Sequence, residues 1–239
     1  MVYAVIAAGG IGSRMGNTEK PKQYITLKGK PIICHTVEKF FINDAFKRVI
    51  VLCPEQWVSY TKNIIAKSIN DTQGKITVLT GGSTRNETVM NAINFIEETD
   101  GLDDDTIIVT HDAVRPFVTA RIIDDNISAA KQFGACDTVV PATDTIVESM
   151  DAQGISSIPD RSKLYQGQTP QSFKAKLLRD LYNGLTEEEK DILTDCAKIF
   201  VMKGREVRLV KGEVYNIKLT YPYDLRVARV LLDEEEADD

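Results

Sequence analysis

The chain has 239 residues, 43% of them hydrophobic and 27% charged, with a formal net charge of −6. That length can bury a full core and suits one α/β domain, and the composition is that of a globular protein. Six acids lie among the last seven residues, Asp233 to Asp239, a run expected as a solvated end; the remaining body has zero formal net charge, which excludes the basic domain that nucleic-acid binding needs.

Short β-branched runs alternate with amphipathic stretches from the start. Val2–Ala8, Arg48–Cys53, Ile76–Thr80, Thr106–Thr110 and Asp137–Pro141 read as strands, apolar enough to be buried on both faces. Pro31–Phe41 reads as a helix with Ile33, Val37, Phe40 and Phe41 on one side. Thr84-x-x-Glu87 is a capping box that opens a helix carrying Val89, Ala92, Ile93 and Ile96, and Ile122, Ile123, Ile127 and Ala130 mark another. This alternation predicts an α/β, Rossmann-like fold with a mainly parallel sheet flanked by helices. After Pro141 the rhythm breaks. Thr145–Glu148, a turn at Asp151–Gly154 and the residues from Ile155 read as a protruding β-hairpin arm, residues 142–166, within a single domain spanning 1–239. A helix around Lys174–Tyr182, a strand at Glu206–Val210, the segment Asn216–Thr220 and a last helix from Tyr223 to Leu232 follow.

Cys34, Cys53, Cys136 and Cys196 form no Cys-x-x-Cys pair and are expected as reduced core thiols; with His35 and His111 the only histidines, a His/Cys zinc site is not expected. The apolar start is too short and too poor in basic residues for a signal peptide, and no apolar run approaches the ~18 residues of a membrane span. The expected location is the cytoplasm, without membrane or nucleic-acid partners.

The first strand runs into Ala7-Ala-Gly-Gly-Ile-Gly-Ser-Arg-Met-Gly16, at the strand end where α/β sheets bind ligands. Taken alone, Gly10-x-Gly12 is equally a structural turn or part of a dinucleotide motif. The dinucleotide reading fits poorly: the third glycine would fall at Met15, and the second strand ends Val-Leu-Cys53-Pro without an acid for a ribose. No Gly-Lys-Ser/Thr follows, so the P-loop pattern is absent as well. Residues 14 to 30 instead hold Arg14, Lys20, Lys22, Lys28 and Lys30 against the single acid Glu19, and Pro21 constrains the backbone around two lysines. A solvated basic loop and an anion site both fit this cluster. His111-Asp-Ala-Val-Arg-Pro116 follows a central strand, where one carboxylate can hold Mg²⁺ alongside waters and phosphates. Gly81-Gly-Ser-Thr-Arg85 is a further strand-to-helix turn on the same edge.

These motifs occur, with Pro21-Lys-Gln-Tyr24, Asp144-Thr145, Gln168-Thr-Pro-Gln171, Thr194-Asp195 and Asn216-Ile-Lys-Leu-Thr220, in an order that resembles the 2-C-methyl-D-erythritol 4-phosphate cytidylyltransferase family from residue 3 to residue 232. Within it the chain looks closer to the ribitol-5-phosphate cytidylyltransferase branch. Gly9-Gly-Ile-Gly12 stands where the erythritol enzymes have a shorter loop, Thr194-Asp-Cys-Ala where they have Thr-Asp-Glu-Ala, and Val114 where alanine is common.

The resemblance implies transfer of CMP from CTP to a sugar-alcohol phosphate, D-ribitol 5-phosphate or 2-C-methyl-D-erythritol 4-phosphate, with release of pyrophosphate. CDP-ribitol would serve teichoic acid or capsule synthesis. In-line phosphoryl chemistry of this kind needs charge neutralisation and positioning more than a covalent nucleophile. By similarity, Arg14, Lys22, Arg161 and Lys218 are the catalytic residues, Arg14 and Lys22 stabilising charge on the phosphates. Ala7, Ala8, Gly9, Gly10, Gly82, Ser83, Arg85 and Thr88 would line the CTP pocket, with Ser83 in place of a common acid. Arg115, Thr145, Arg161 and Lys218 would hold the acceptor, and Asp112 would bind Mg²⁺. The family pairs as homodimers through the arm, which implies that Arg161 serves the partner's site. A sugar nucleotidyltransferase using UTP or GTP shares the glycine-rich start but not the His111 and Asn216 motifs. A catalytically dead nucleotide-binding module should have lost Arg14, Lys22 or Asp112, and all are present.

Overall fold

The structure, a computed structural model, describes residues 1–10, 15 and 20–237, with side chains described as far as Asp233. In chain order the elements are β1 (Val2–Ala7), β2 (Thr26–Leu27), β3 (Lys30–Pro31), α1 (Ile32–Phe41), β4 (Arg48–Cys53), α2 (Val58–Ser68), β5 (Ile76–Thr80) and α3 (Arg85–Asp100). They continue with β6 (Ile107–Asp112), α4 (Ala120–Phe133), β7 (Ala135–Pro141), β8 (Tyr165–Lys174), α5 (Ala175–Asn183), α6 (Glu187–Asp191), α7 (Cys196–Met202), β9 (Arg208–Lys211) and α8 (Pro222–Ala237).

One sheet runs in the order β5-β4-β1-β6-β8-β7-β9. It is Rossmann-like and mainly parallel; β8 alone runs against its neighbours β6 and β7. The central strands are apolar on both faces because each face is covered. Ile33, Val37 and Phe40 of α1, Ile65 of α2 and Ile122, Ile123 and Ile127 of α4 pack on one side. Val89, Ile93 and Ile96 of α3, Leu178 of α5 and Ile199 and Phe200 of α7 pack on the other. A smaller cluster joins Leu27, Ile32, Val114 and Leu219 to Ala228 and Leu232 of α8, bracing the rim near the strand ends. All four cysteines are buried free thiols.

Several elements differ from the sequence reading. The fourth core strand runs on through His111 and Asp112, which places Asp112 on the strand itself. The ten-residue β8 escapes sequence reading because Gln166, Gln168, Gln171 and Ser172 give it neither alternation nor an apolar run. The helices α2 and α7 are likewise unread, and Asn216–Thr220 has no regular structure. The acidic end begins as helix, since α8 extends to Ala237 and Lys28 pairs with Asp233. Between β7 and β8 the chain is mostly exposed and holds one antiparallel bridge, Glu148 to Ser157. Its turn is closed by Asp151 Oδ1, which accepts from the backbone N–H of Gln153 and of Gly154 at 2.9 and 3.0 Å. Ile146, Val147, Met150, Ile155 and Ile158 stand exposed along it.

Candidate active site

A cleft of about 390 Å³ opens at the C-terminal ends of β1 and β6. It brings together Ala7, Ala8, Gly9, Gly10, Lys22, Gln23, Gly82, Ser83, Thr84, Arg85, Thr88, Asp112, Ala113, Val114 and Lys218. Among the described residues, nothing lies within 4 Å of where a Cβ on Gly9 or Gly10 would sit, so their packing does not demand glycine there. What their small size leaves is backbone open to a ligand.

Lys22 reaches the cleft through a locally built turn. Pro21, at φ −51° and ψ 145°, feeds a 3-10 turn over Lys22–Tyr24. Gln23 Nε2 donates to the Ala8 carbonyl at 2.7 Å, which fastens that turn to the glycine loop. Tyr24 anchors it from behind, with its hydroxyl 2.8 Å from Thr61 Oγ1 and its ring 4.9 Å from that of Trp57. Lys22 is consequently 93% buried while still lining the cleft.

The opposite wall is the start of α3. Thr84 and Glu87 form the expected capping box. Ser83 donates to Glu87 through both its N–H and its hydroxyl, and the Gly82 N–H donates to Thr88 Oγ1 at 3.0 Å. A Cβ on Gly82 would lie 2.4 Å from Glu87 Cβ and 2.9 Å from the Thr88 nitrogen, so close approach requires glycine here. The capped turn aims Arg85, the first residue of α3, at the end of β6.

Asp112 is the electrostatic centre. Among the described residues, Arg85, Arg115 and Lys218 converge on it: Arg85 Nη1 meets Oδ1, while Arg115 Nε and Lys218 Nζ approach Oδ2 at 3.5 and 2.9 Å. Burial by itself would raise this carboxyl, but Arg85, Lys218 and Arg115 outweigh it and hold it well below the usual carboxylate range. Arg115 also donates to the Asn216 carbonyl at 2.8 Å, tying the Asn216 segment to the turn after β6.

A directed hydrogen-bond chain supports this carboxylate. His111 is fully buried, and burial lowers its pKa to about 3, so the ring is neutral. Its Nε2 lies 3.0 Å from the Arg115 carbonyl, which can only accept, so Nε2 carries the proton. Nδ1 therefore accepts from Thr169 Oγ1 at 3.0 Å, and that hydroxyl accepts from the Asp112 N–H at 3.2 Å. A register shift between β7 and β8 brings Thr169 into this position.

The remaining expected residues lie elsewhere. Arg14 is outside the described residues. Thr145 and Arg161 sit exposed on the arm and do not line their own chain's cleft; Arg161 Nη1 donates to the Thr143 carbonyl at 2.9 Å. Arg115 lies behind Asp112 rather than in the lining. Sequence reading assigned no role to Gln23, Ala113 or Thr169 and gave Thr84 only that of a helix cap, although each stands inside a motif that marked the site. No group of three or more His, Cys, Asp or Glu able to hold a metal occurs among the described residues. No helix among them is long and apolar enough to cross a membrane.

Glycine-lined backbone at a strand end, buried cations and one carboxylate define a Rossmann-like protein with a site for a nucleotide polyphosphate. A family model of 2-C-methyl-D-erythritol 4-phosphate cytidylyltransferase matches residues 2–234, and the chain belongs to that family. It is a CTP-using cytidylyltransferase. Similar solved structures include 2-C-methyl-D-erythritol 4-phosphate cytidylyltransferase of Francisella tularensis, 29% identical, with TM-score 0.78 and 95% and 97% of the two chains covered. A 4-diphosphocytidyl-2C-methyl-D-erythritol synthase is 27% identical, with TM-score 0.79 and coverage of 97% and 98%. The corresponding synthase of Anaerococcus prevotii is 25% identical, with TM-score 0.78 and coverage of 97% and 96%.

Proposed function

We propose that this enzyme transfers CMP from CTP to D-ribitol 5-phosphate, giving CDP-ribitol, a precursor for teichoic acid or capsule, and pyrophosphate. The observation that carries the acceptor assignment is Cys196. It is fully buried at the start of α7, with Sγ 3.2 Å from Asn86 Oδ1, and burial pushes its thiol up to about 12, so it stays neutral. A carboxylate at this position would compete for Arg85, whose charge already interacts with Asp195 and Asp112. A neutral residue leaves Arg85 turned to Asp112 and gives the cleft a different charge balance from that of the Thr-Asp-Glu-Ala pattern. The family model and the names of the similar structures favour a second reading, 2-C-methyl-D-erythritol 4-phosphate as acceptor.

In the mechanism that fits this site, Ala8, Gly9, Gly10 and Gly82 let backbone approach the nucleotide. Lys22, buried and anchored by the Gln23 contact, supplies a preorganised positive charge to the α-phosphate and the leaving pyrophosphate. Arg14 shares that role. Lys218 holds the acceptor phosphate so that its oxygen can attack the α-phosphorus in line, while Arg115, behind Asp112, keeps that carboxylate and the Asn216 segment in place. The donor set suits Mg²⁺ carried in with a triphosphate, because one carboxylate, Asp112, faces a cleft where phosphates and waters can complete the shell. Bound there, the ion would neutralise phosphate charge.

The arm bears five exposed large apolar residues, which supports a two-fold homodimer formed through it, with Thr145 and Arg161 completing the partner's acceptor site. The test of the function is pyrophosphate release with CTP, UTP or GTP and each candidate acceptor. The expected result is turnover with CTP and a larger kcat/KM for ribitol 5-phosphate; preference for the methylerythritol phosphate overturns the acceptor assignment.

A further inference from the structure

The two ends of a nucleoside triphosphate ask for different surfaces: the phosphates need cations and N–H donors, the base an edge of matching donors and acceptors. The start of α3 is the cleft wall opposite Lys22, and a helix N-terminus ordinarily offers phosphate its free N–H groups. On this wall the chain has used them itself. The Gly81 N–H donates to the Cys53 carbonyl at 2.9 Å and the Gly82 N–H to Thr88 Oγ1 at 3.0 Å. The N–H groups of Ser83 and Thr84 both donate to Glu87 Oε2, at 2.8 and 3.3 Å. Arg85 leaves this wall toward Asp112, and the charge of Glu87 repels phosphate. Lys22 and the open backbone of Gly9 and Gly10 therefore draw the triphosphate to the other wall, and the base is the end of CTP that Gly82 and Ser83 can hold.

Ser83 lines the cleft and is exposed, so a ligand reaches it. Its hydroxyl donates to Glu87 Oε2. That direction is fixed. The Ser83 hydroxyl, with the Ser83 N–H, holds the Glu87 carboxyl below its usual value, and an ionised carboxylate can only accept. With O–H and N–H both committed, the Ser83 side chain has only the lone pairs of Oγ left for a ligand. The 4-amino group of cytosine is a donor and suits them. Uracil carries an oxygen at that position and would set acceptor against acceptor.

We infer that Glu87 is a specificity-determining residue: by holding the donors of Ser83 it makes that hydroxyl an acceptor for the 4-amino group, and so sets the choice of CTP over UTP. Glu87 acts through Ser83, as a positioning residue rather than a contact to the nucleotide. The inference deepens the CTP use of this enzyme and is independent of which sugar-alcohol phosphate it accepts.

The experiment is calorimetric titration with CTP, UTP and a CTP analogue bearing hydrogen in place of the 4-amino group, each with Mg²⁺ and without acceptor. The proteins are wild type, Glu87→Gln and Ser83→Ala, with melting curves to check folding. Glutamine still closes a capping box, but its amide can donate to Ser83 Oγ and free the Ser83 O–H to meet uracil. The wild type should bind CTP more tightly than UTP, and Glu87→Gln should shrink that ratio of dissociation constants by about 3–10-fold, the scale of one hydrogen bond. The loss that the wild type shows for the analogue without the amino group should vanish in Ser83→Ala. A purely structural Glu87 would weaken CTP and UTP alike, so an unchanged ratio in Glu87→Gln overturns the inference. An undiminished loss for the analogue in Ser83→Ala overturns it as well, and that exposed position decides the matter if Glu87→Gln does not fold. Equal wild-type affinity for CTP and UTP would overturn both the inference and the assignment of CTP as the nucleotide.

Discussion

Lys218 Nζ lies 2.9 Å from Asp112 Oδ2, an ion pair between residues 106 positions apart that joins the irregular segment after β9 to the end of β6. Because Arg85 and Arg115 share the same carboxylate, removing one partner has different consequences at each position. Lys218→Ala should lower kcat/KM for the acceptor by about 10²-fold, the scale of one preorganised phosphate contact. The CTP dissociation constant, measured by calorimetry, should change little. Asp112→Asn should act on the nucleotide side, raising the Mg²⁺ concentration needed for half-maximal activity. Equal effects of Lys218→Ala on both substrates would remove the acceptor role.

Lys22 is held by the Pro21 turn and the Gln23–Ala8 contact, so its charge is positioned before substrate arrives. Lys22→Ala is expected to lower kcat by about 10²–10³, and Arg14→Ala to do the same. Single-turnover kinetics with saturating CTP will separate this from weaker binding. An unchanged kcat in Lys22→Ala would contradict the role given to it.

The proposed dimer gives Arg161 to the neighbouring subunit's site and Lys22 to its own. Homodimers of Lys22→Ala and of Arg161→Ala should each be nearly inactive. In a mixed dimer one site combines an intact Lys22 with an intact arm from the partner, and the other carries both defects. Random exchange makes about half the dimers mixed, so roughly a quarter of wild-type activity should return. If exchange is verified by mass spectrometry and no activity returns, Arg161 does not act across the interface.

Burial raises Asp137 to about 7, against lowering by the Gln171 hydrogen bond and Arg85 and a further raising by Asp195; the unfolded chain has the ordinary carboxyl value of 3.8. Between these values the folded state keeps a proton that the unfolded state has lost, so this group's contribution to stability falls as pH rises through that window. The melting temperature of Asp137→Asn relative to wild type should therefore climb from pH 4 to about pH 7 and level off above it. Each kcal/mol of differential stability shifts the midpoint by about 2–4 °C. A difference that stays flat across this range would show that Asp137 titrates normally.

What could be read from sequence is what short-range physics dictates. The apolar runs Val2–Ala7 and Arg48–Cys53 announce strands because both faces must be buried, and Thr84 with Glu87 announces a helix start because its orphan N–H groups need acceptors. The glycine loop and the Pro21 turn are equally local. Strand β8 was not legible because Gln168, Gln171 and Ser172 are buried by hydrogen bonding to other elements, as in Ser172 with Asn126, a stabilisation that leaves no apolar period. The members of the charge centre were legible through the family resemblance, but their convergence on one carboxylate was not. Arg85, Arg115 and Lys218 come from α3, the turn after β6 and the segment after β9, and only folding sets them around Asp112. The pairing of Asp137 with Gln171 and of Cys196 with Asn86 is likewise a product of strand register and helix packing. Sequence determined which chemistry the chain carries; the tertiary structure decided which charges share a carboxylate and which buried polar groups pair, because Coulomb and hydrogen-bond energies depend on distance in space and not along the chain.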